Sequence, residues 1–218
     1  MSSHEPAAPI VLERALGARV WDTHGNEVVD LTSFFGVALV GHRNPAVVRA
    51  LKAQAGRLLH GMGDQHAADV KSIFVDALTA RMPAPDYQGV LSLNGSDAVD
   101  CALKFAAAAT GRGAVLAFEG AYHGLSGSAL EVTHRPEFRE PFAAAIAGRA
   151  RFAPWPARDG SDMERCLSAA RALALGGASE GPVGAVIVEP IQGRGGIRVP
   201  PPGFLPALAA IAAEAGAP

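Results

Sequence analysis

The segment Asn94-Gly95-Ser96-Asp97 has the composition of a helix start that binds an anion. It follows an apolar run at residues 89–93, which we expect to be a strand, and it precedes a strongly helical stretch. Free backbone N–H groups and the helix dipole attract an anion at such a place, and glycine lets the backbone approach it closely. Asn, Ser and Asp are also ordinary N-cap residues. The motif alone therefore leaves both interpretations open.

A second candidate segment, Gly120-Ala121-Tyr122-His123-Gly124, follows the apolar run at residues 114–118. Open α/β sheets bind their ligands at the carboxyl ends of strands. An aromatic ring and an imidazole between glycines can stack on a flat ligand and form hydrogen bonds with it. A surface turn whose Tyr and His pack on their neighbours is an equally good interpretation of this segment alone.

The third candidate segment begins at Glu189, directly after an apolar run that we expect to be a five-residue strand. A carboxylate at that edge is costly without a partner, so Glu189 is either paired structurally or part of a site. Gln192 and Arg194 follow in a glycine-rich loop and offer donors to a carboxylate or phosphate. A solvated Arg194 in a flexible loop is the alternative.

Several other chemistries lack their sequence signatures. The chain has no dinucleotide-binding glycine motif after a strand, no P-loop and no esterase nucleophile motif. No metal-ligand spacing surrounds His123, so we expect no metal site. The two cysteines, Cys101 and Cys166, lie among apolar residues and are too few for a disulfide scaffold or a cysteine zinc site.

Short apolar runs alternate with helical stretches from residue 89 onward. Strands are predicted at 114–118, 150–153 and 183–188, and helices at 98–109, 163–175 and 204–215. This alternation predicts βα units and a parallel sheet.

The first 60 residues or so differ in character. Residues 18–31 predict a β-hairpin with its turn at 22–26, and residues 33–42 form an apolar run that suits either a strand or a buried loop. Asn44-Pro45 predicts the start of a helix, and a second helix is expected at about 67–81.

Composition excludes several classes of protein. Of 218 residues, 49% are hydrophobic and 18% are charged, with a net charge of −2. This balance argues against disorder and against sequence-independent nucleic-acid binding, because there is no excess of basic residues. No membrane span and no signal peptide are apparent, so we expect a cytoplasmic protein that binds neither nucleic acid nor membranes.

Taken together and in order, these segments resemble the class III aminotransferases, pyridoxal-phosphate (PLP) enzymes of fold type I. The matching stretches, which span residues from about 20 to 216, are 30–37 with 41–45, 94–98, 120–124, and 189–193 followed by Gly195-Gly196 and Pro202-Gly203-Phe204. The resemblance implies an α/β fold with a mostly parallel sheet and flanking helices, preceded by a segment of the small domain. On this basis residues 1–62 belong to the small domain and 63–218 to the first part of the PLP-binding domain.

The resemblance also implies a role for each segment. Gly95 and Ser96 would hold the PLP phosphate, and Tyr122 would stack on the pyridine ring with His123 beside it. The loop containing Glu189 and Gln192 would line the cofactor pocket. The residues that would border the substrate pocket are Phe34, Phe35 and Arg194. The implied reaction transfers an amino group from an amino acid or ω-amine to a 2-oxo acid, in a homodimer.

Two groups that the family requires have no counterpart among these residues. The chain has three lysines, Lys52, Lys71 and Lys104, and none lies in a motif like that of the Schiff-base Lys. The Asp that pairs with the pyridine nitrogen would lie on a strand after residue 218. We therefore expect an N-terminal portion of a longer enzyme, without catalytic residues and inactive by itself.

The nature of the reaction stays open at this point. Ornithine- and γ-aminobutyrate-type relatives carry Glu where this chain has Arg194, so the resemblance does not extend to the ornithine-type substrate switch and leaves an amino donor of another kind open. The alternatives are another PLP reaction on the same fold, such as racemisation, decarboxylation or amino-group migration, and a non-catalytic α/β domain that binds phosphate.

Overall fold

The computed structural model describes residues 10–63, 65–84 and 86–218. The chain divides into two compact units, and the first ends at Gln88 and the second begins at Gly89. The first nine residues, for which we expect no signal peptide, lie outside the described residues. The second helix of the chain falls in the first unit, whereas the boundary expected from the sequence, at residue 62, precedes it. The boundary at residue 62 separates two domains of the family, whereas the two units are defined by contacts within this chain. The boundary at residue 62 therefore stays a prediction. No helix within the described ranges is both long and apolar enough to cross a membrane.

The first unit opens with a three-stranded antiparallel sheet in the order β1-β2-β3. Its strands are β1 (Leu12–Leu16), β2 (Arg19–Asp22) and β3 (Glu27–Val29). The Asp22 carboxylate accepts hydrogen bonds from the backbone N–H groups of His24 and Asn26, at 2.9 and 2.8 Å, and so closes the turn between β2 and β3. The predicted hairpin is confirmed.

Residues 33–42 form neither a strand nor a buried loop, so that expectation is wrong. Ser33–Gly36 is a single left-handed turn, α1, in which Ser33, Phe34 and Phe35 all have positive φ. The Asp30 carboxylate holds it by accepting from the N–H groups of Thr32 and Phe34 and by pairing with His42 Nε2 at 2.8 Å. Because side-chain bonds to Asp30 replace ladder bonds here, the apolar run turns outward, and Phe35 is 87% exposed.

Two helices complete the first unit, α2 (Pro45–Ala55) and α3 (Asp69–Thr79). The Asn44 side chain accepts from the N–H of Ala46 at 3.0 Å, and Pro45 occupies the first helical turn, where its missing N–H costs nothing. Both helices lie where the sequence predicts them.

The second unit contains a parallel three-stranded sheet in the order β5-β4-β6. Its elements are α4 (Gly95–Thr110), β4 (Val115–Phe118), α5 (Gly127–Glu131), α6 (Pro136–Arg139), a 3₁₀ helix (Glu140–Ala145), β5 (Ala150–Ala153), α7 (Met163–Leu175), β6 (Ala185–Val186) and α8 (Phe204–Glu214). The predicted alternation of strands and helices is confirmed. The short helices between β4 and β5 carry no apolar periodicity, and the sequence did not indicate them.

Alternate residues of β4 pack on opposite faces of this sheet. Leu116 and Phe118 belong to the core formed with α7 and α8, whereas Val115 and Ala117 pack with residues of α4. The rings of Phe118, Trp155 and Phe204 meet edge to face at centroid distances of 5.4–5.8 Å. Helices therefore cover both faces, and the carboxyl end of β4 opens toward the candidate site.

Two predicted strands differ from the structure. Residues 89–93 form no strand, and Leu93 is 95% exposed, because no other strand among the described residues lies beside them to supply ladder bonds. The run before Glu189 forms only the two-residue strand β6, whose Val186 N–H donates to the carbonyl of Pro218 at 2.9 Å. A short apolar run becomes a strand only where a partner pairs with it.

Candidate active site

The N-terminus of α4 leaves two backbone donors available. The Asn94 side chain accepts from the N–H of Asp97 at 3.0 Å, and the Asp97 carboxylate accepts from the N–H of Leu93 at 2.9 Å. This reciprocal capping fixes the helix start. The N–H groups of Gly95 and Ser96 have no acceptor in the part of the chain that the structure describes. They lie at the positive end of the helix dipole, a position that favours an anion.

Ser96 and Gly124 bring the first two candidate segments together. The Ser96 hydroxyl oxygen accepts from the N–H of Leu125 at 3.2 Å, which leaves its proton free to donate. Gly124 has φ +134°, and a Cβ at this position would lie 2.1 Å from Ser96 Oγ. Only glycine fits here, because a side chain would displace the hydroxyl.

Thr133 also holds this loop, and no pattern in the sequence indicated it. This buried residue lies two positions beyond the short helix α5; it accepts from the N–H of His123 at 2.9 Å and donates to the carbonyl of Gly124 at 2.9 Å. The conformation of residues 122–124 is thus fixed by a side chain nine or ten positions along the chain.

Glu189 joins the second and third segments. Its carboxylate accepts from the N–H of Tyr122 at 2.8 Å and from the N–H of Gly193 at 2.9 Å. The sequence left open whether Glu189 is paired structurally or is part of a site. In the structure its carboxylate forms hydrogen bonds with the backbones of two loops. It fixes Tyr122 relative to the glycine-rich loop.

Gln192 is 1% exposed and is also engaged with the protein. Its amide nitrogen donates to the carbonyl of Glu119 at 2.9 Å, and its oxygen accepts from Arg198 at 3.3 Å. A Cβ on Gly120 or Gly195 would come within 2.9 Å of this oxygen, so the glycines on both sides let the amide pack between the loops. The part that Glu189 and Gln192 play in lining a cofactor pocket stays a prediction.

His123 is a neutral imidazole in this environment. Burial lowers its pKa to about 4, and its Nε2 atom is buried with no hydrogen-bond partner among the described residues. Within the same ranges, no group of three or more His, Cys, Asp or Glu side chains is placed to hold a metal ion.

Arginine and aromatic side chains cluster beside Tyr122. The Arg194 guanidinium lies over the Tyr122 ring, 4.7 Å from its centroid, and 5.3 Å from that of Phe138. Tyr122 and Phe138 meet edge to face at 5.7 Å. Arg135 donates to the carbonyl of Arg194 at 3.2 Å, and its guanidinium lies 5.4 Å from the Phe138 ring. Sequence reasoning missed Arg135 and Phe138, because α6 is too short for a recognisable pattern.

The remaining candidates lie elsewhere. Phe34 and Phe35 are in the left-handed turn of the first unit, and their predicted place at a substrate pocket stays a prediction. Lys52 and Lys71 are on α2 and α3. Lys104 is on α4 and pairs with Asp100 at 2.8 Å, which raises the pKa of the lysine.

Comparisons with known proteins identify a family for this chain. The family description Aminotransferase class-III matches residues 1–217. The acetylornithine aminotransferase of Methanopyrus kandleri is 37% identical over 213 residues, which cover 95% of this chain and 49% of that enzyme. The chain spans about half the length of the curated relatives it matches.

Two solved structures show the same fold. An (S)-enantioselective ω-transaminase from Thermomicrobium roseum matches with a TM-score of 0.88 and 24% identity, over 99% of this chain and 53% of that one. A taurine:2-oxoglutarate aminotransferase from Bifidobacterium kashiwanohense, solved with PLP and glutamate, matches with a TM-score of 0.84 and 24% identity, over 100% of this chain and 51% of that one. The family match over nearly all of the sequence establishes that this chain belongs to the class III aminotransferases.

Proposed function

We propose that this chain forms part of a PLP-dependent transaminase that moves an amino group from an amino acid or ω-amine to a 2-oxo acid. The observation that carries the proposal is the start of α4, where two backbone donors face a ligand position. Membership in class III supports it, as does the fold shared with a transaminase solved with PLP and glutamate.

The residues at this helix start fit a phosphate monoester. Gly95 and Ser96 offer N–H groups, the Ser96 hydroxyl retains a proton to donate, and no atom lies within 4 Å of a Cβ built on Gly95. The cap contains one carboxylate, that of Asp97. It accepts a hydrogen bond from the N–H of Leu93, and Asp97 follows the two donor residues in the sequence. These residues would hold the phosphate of PLP through charge-assisted hydrogen bonds.

Tyr122 would stack on the pyridine ring of the cofactor, and His123 would lie beside it. PLP supplies an electron sink that makes the Cα–H bond of an amine substrate acidic. Tyr122 offers a flat aromatic surface next to Gly124, and that glycine contacts Ser96. The low pKa of His123, about 4, keeps this imidazole uncharged at neutral pH, so it adds no cation beside the ring.

Glu189 and Gln192 act in this proposal by positioning the two loops against each other. Phe34 and Phe35, held in their strained turn by Asp30, would border the substrate pocket. We also propose that the lysine that carries PLP, and the acidic partner of its pyridine nitrogen, lie in the part of the relatives' length that this chain does not span. A homodimer and a cytoplasmic location complete the proposal.

Amino transfer by the complete protein tests the function. The purified protein would be given PLP, a ¹⁵N-labelled amine donor and 2-oxoglutarate, and the label would be followed into glutamate. We expect labelled glutamate in proportion to donor consumed. Release of labelled ammonia, loss of carbon dioxide or inversion of the donor without transfer would instead indicate another PLP reaction. A protein that binds phosphate but consumes none of a broad panel of amines would contradict the proposal.

A further inference from the structure

Two consecutive residues, Thr133 and His134, run along the loop between β4 and α5. The Thr133 hydroxyl accepts from the N–H of His123 at 2.9 Å and donates to the carbonyl of Gly124 at 2.9 Å. The N–H of His134 donates to the carbonyl of Ala121, also at 2.9 Å. The backbone on both sides of the candidate ring-binding residue is therefore held by this two-residue segment.

The Thr133 hydroxyl is engaged on both its donor and its acceptor side. Its oxygen lies 2.9 and 3.0 Å from the carbonyl oxygens of Gly124 and Ala129, to which its one proton donates, and it accepts from His123. The residue is 0% exposed. Any effect of Thr133 on a ligand must therefore pass through the loop that it holds.

Gly124 links this loop to the start of α4. The buried glycine lies between Ser96 and Ala129, because a Cβ built on it would be 2.1 Å from Ser96 Oγ and 3.0 Å from Ala129 Cβ. The next residue, Leu125, donates its N–H to the same Ser96 oxygen at 3.2 Å. Close packing resists a shift of the loop toward Ser96, and the hydrogen bond from Leu125 resists a shift away from it. The hydroxyl of Thr133 thus fixes the place of the hydroxyl of Ser96.

We infer that Thr133 is a positioning residue for the cofactor, and that its hydroxyl sets Tyr122 and the Ser96 hydroxyl relative to each other. This inference deepens the proposed function and rests on it. Tyr122 would be set through the N–H of the residue that follows it, and Ser96 through Gly124. Removing the hydroxyl leaves a backbone N–H and a backbone carbonyl without their partners, and the loop must move to satisfy them. The phosphate contact and the ring contact should then be disturbed together.

Thr133→Val in the complete protein tests the inference, because valine keeps the shape of threonine and removes the hydroxyl. We expect PLP to bind roughly 5- to 30-fold more weakly, as for the loss of one hydrogen bond to the phosphate. The circular dichroism of bound PLP should also change, since the ring would sit differently on Tyr122. Thr133→Ser keeps the hydroxyl and should bind PLP as the parent protein does, even though the lost methyl group lowers its stability in denaturant.

Thr110→Val is the matched control. The Thr110 hydroxyl also donates to the carbonyl four residues earlier, that of Ala106, at 2.8 Å, and accepts from a backbone N–H, that of Arg112, at 3.3 Å. It lies at the other end of α4 from Ser96. Thr110→Val should therefore lose stability in denaturant and retain both the PLP affinity and the circular dichroism of the parent protein.

A double-mutant cycle with Ser96→Ala separates positioning from a general structural role. If Thr133 acts through the Ser96 hydroxyl, Thr133→Val should weaken PLP binding less in the Ser96→Ala background than in the parent protein, while the change in circular dichroism persists. Equal losses of affinity in the two backgrounds would overturn the inference. So would unchanged affinity in Thr133→Val, or a loss in Thr133→Ser, and the serine variant decides the matter if the valine variant does not fold.

The labelled amino-transfer assay distinguishes failure of this inference from failure of the proposed function. If PLP affinity depends on the Thr133 hydroxyl as expected but no amine donates its nitrogen, the transaminase function fails and the positioning role stands. If amino transfer occurs while PLP affinity is the same with and without that hydroxyl, the inference is overturned and the transaminase function stands.

Discussion

Replacing Gly124 by alanine should weaken cofactor binding without any change to a residue that contacts the cofactor. The new Cβ would lie 2.1 Å from Ser96 Oγ and 2.8 Å from Ser96 Cβ. Non-bonded heavy atoms need about 3.5 Å, so the new Cβ and the Ser96 Oγ atom must separate by more than about 1 Å. The Ser96 hydroxyl then leaves the position from which it would donate to the phosphate.

The size of the effect follows from the interaction that is lost. One hydrogen bond to a charged group contributes about 1–2 kcal/mol, which corresponds to roughly a 5- to 30-fold weaker affinity for PLP. The substitution also strains the backbone, because Gly124 has φ +134°. Such strain costs about 1–2 kcal/mol of folding free energy. Stability and cofactor affinity must therefore be measured separately.

Gly148→Ala is the matched control, because Gly148 also has positive φ, +74°, but no atom lies within 4 Å of its Cβ position. Both variants of the complete protein should lose stability in denaturant, whereas only Gly124→Ala should show the higher dissociation constant in a PLP titration. Equal PLP affinity in Gly124→Ala and the parent protein would refute the reasoning. So would an equal loss in the Gly148 control, since backbone strain alone would then account for it.

Four further predictions concern single residues or the chain as a whole. Ser96→Ala should cost about 1–2 kcal/mol of PLP affinity in a titration, whereas Ser126→Ala, at an exposed serine whose side chain caps nothing, should cost none. Tyr122→Ala should shift the absorbance of bound PLP and speed its loss on dialysis, and the same change at the exposed Tyr87 should do neither. The pKa of His123 is lowered from 6.5 to about 4, so between these pH values the unfolded chain binds a proton that the folded chain excludes. The free energy of unfolding should therefore be highest above pH 6.5 and fall by up to about 3 kcal/mol as the pH drops to 4. Denaturant titrations should show this loss in the parent protein and not in His123→Asn. The 218-residue chain alone, given PLP, should transfer no amino group, and a stoichiometric borohydride-stable adduct at any of its three lysines together with turnover would contradict this.

The elements that the sequence predicted best are those whose ends are set by local chemistry. Asn44 caps α2 with its own side chain, and Gly111 ends α4 in the left-handed conformation that glycine adopts readily. These signals need no information from the rest of the chain. By contrast, the run at residues 89–93 has the composition of a strand but no neighbour within the described ranges, and composition cannot report the neighbour.

The residues of the candidate site differ in the same way: some are placed by local chemistry and others by contacts with distant parts of the chain. The donors of Gly95 and Ser96 follow from a helix start, so the sequence could identify them. The positions of Arg135 and Phe138 depend on a four-residue helix packing back onto Tyr122, a contact that no spacing along the chain encodes. The role of Thr133 likewise appears only when α5 has folded against the loop.

The polar side chains of the site serve two different purposes, and the distinction decides which of them a ligand can use. Glu189, Gln192 and Thr133 are engaged with backbone groups of neighbouring loops. A buried polar group satisfied in this way fixes geometry and has little left to offer a substrate. The contacts that remain for a ligand are the N–H groups at the start of α4 and the proton of the Ser96 hydroxyl. These donors suit the phosphate of the cofactor, whereas Glu189 and Thr133 would act indirectly, by fixing the loop that carries Tyr122 and His123.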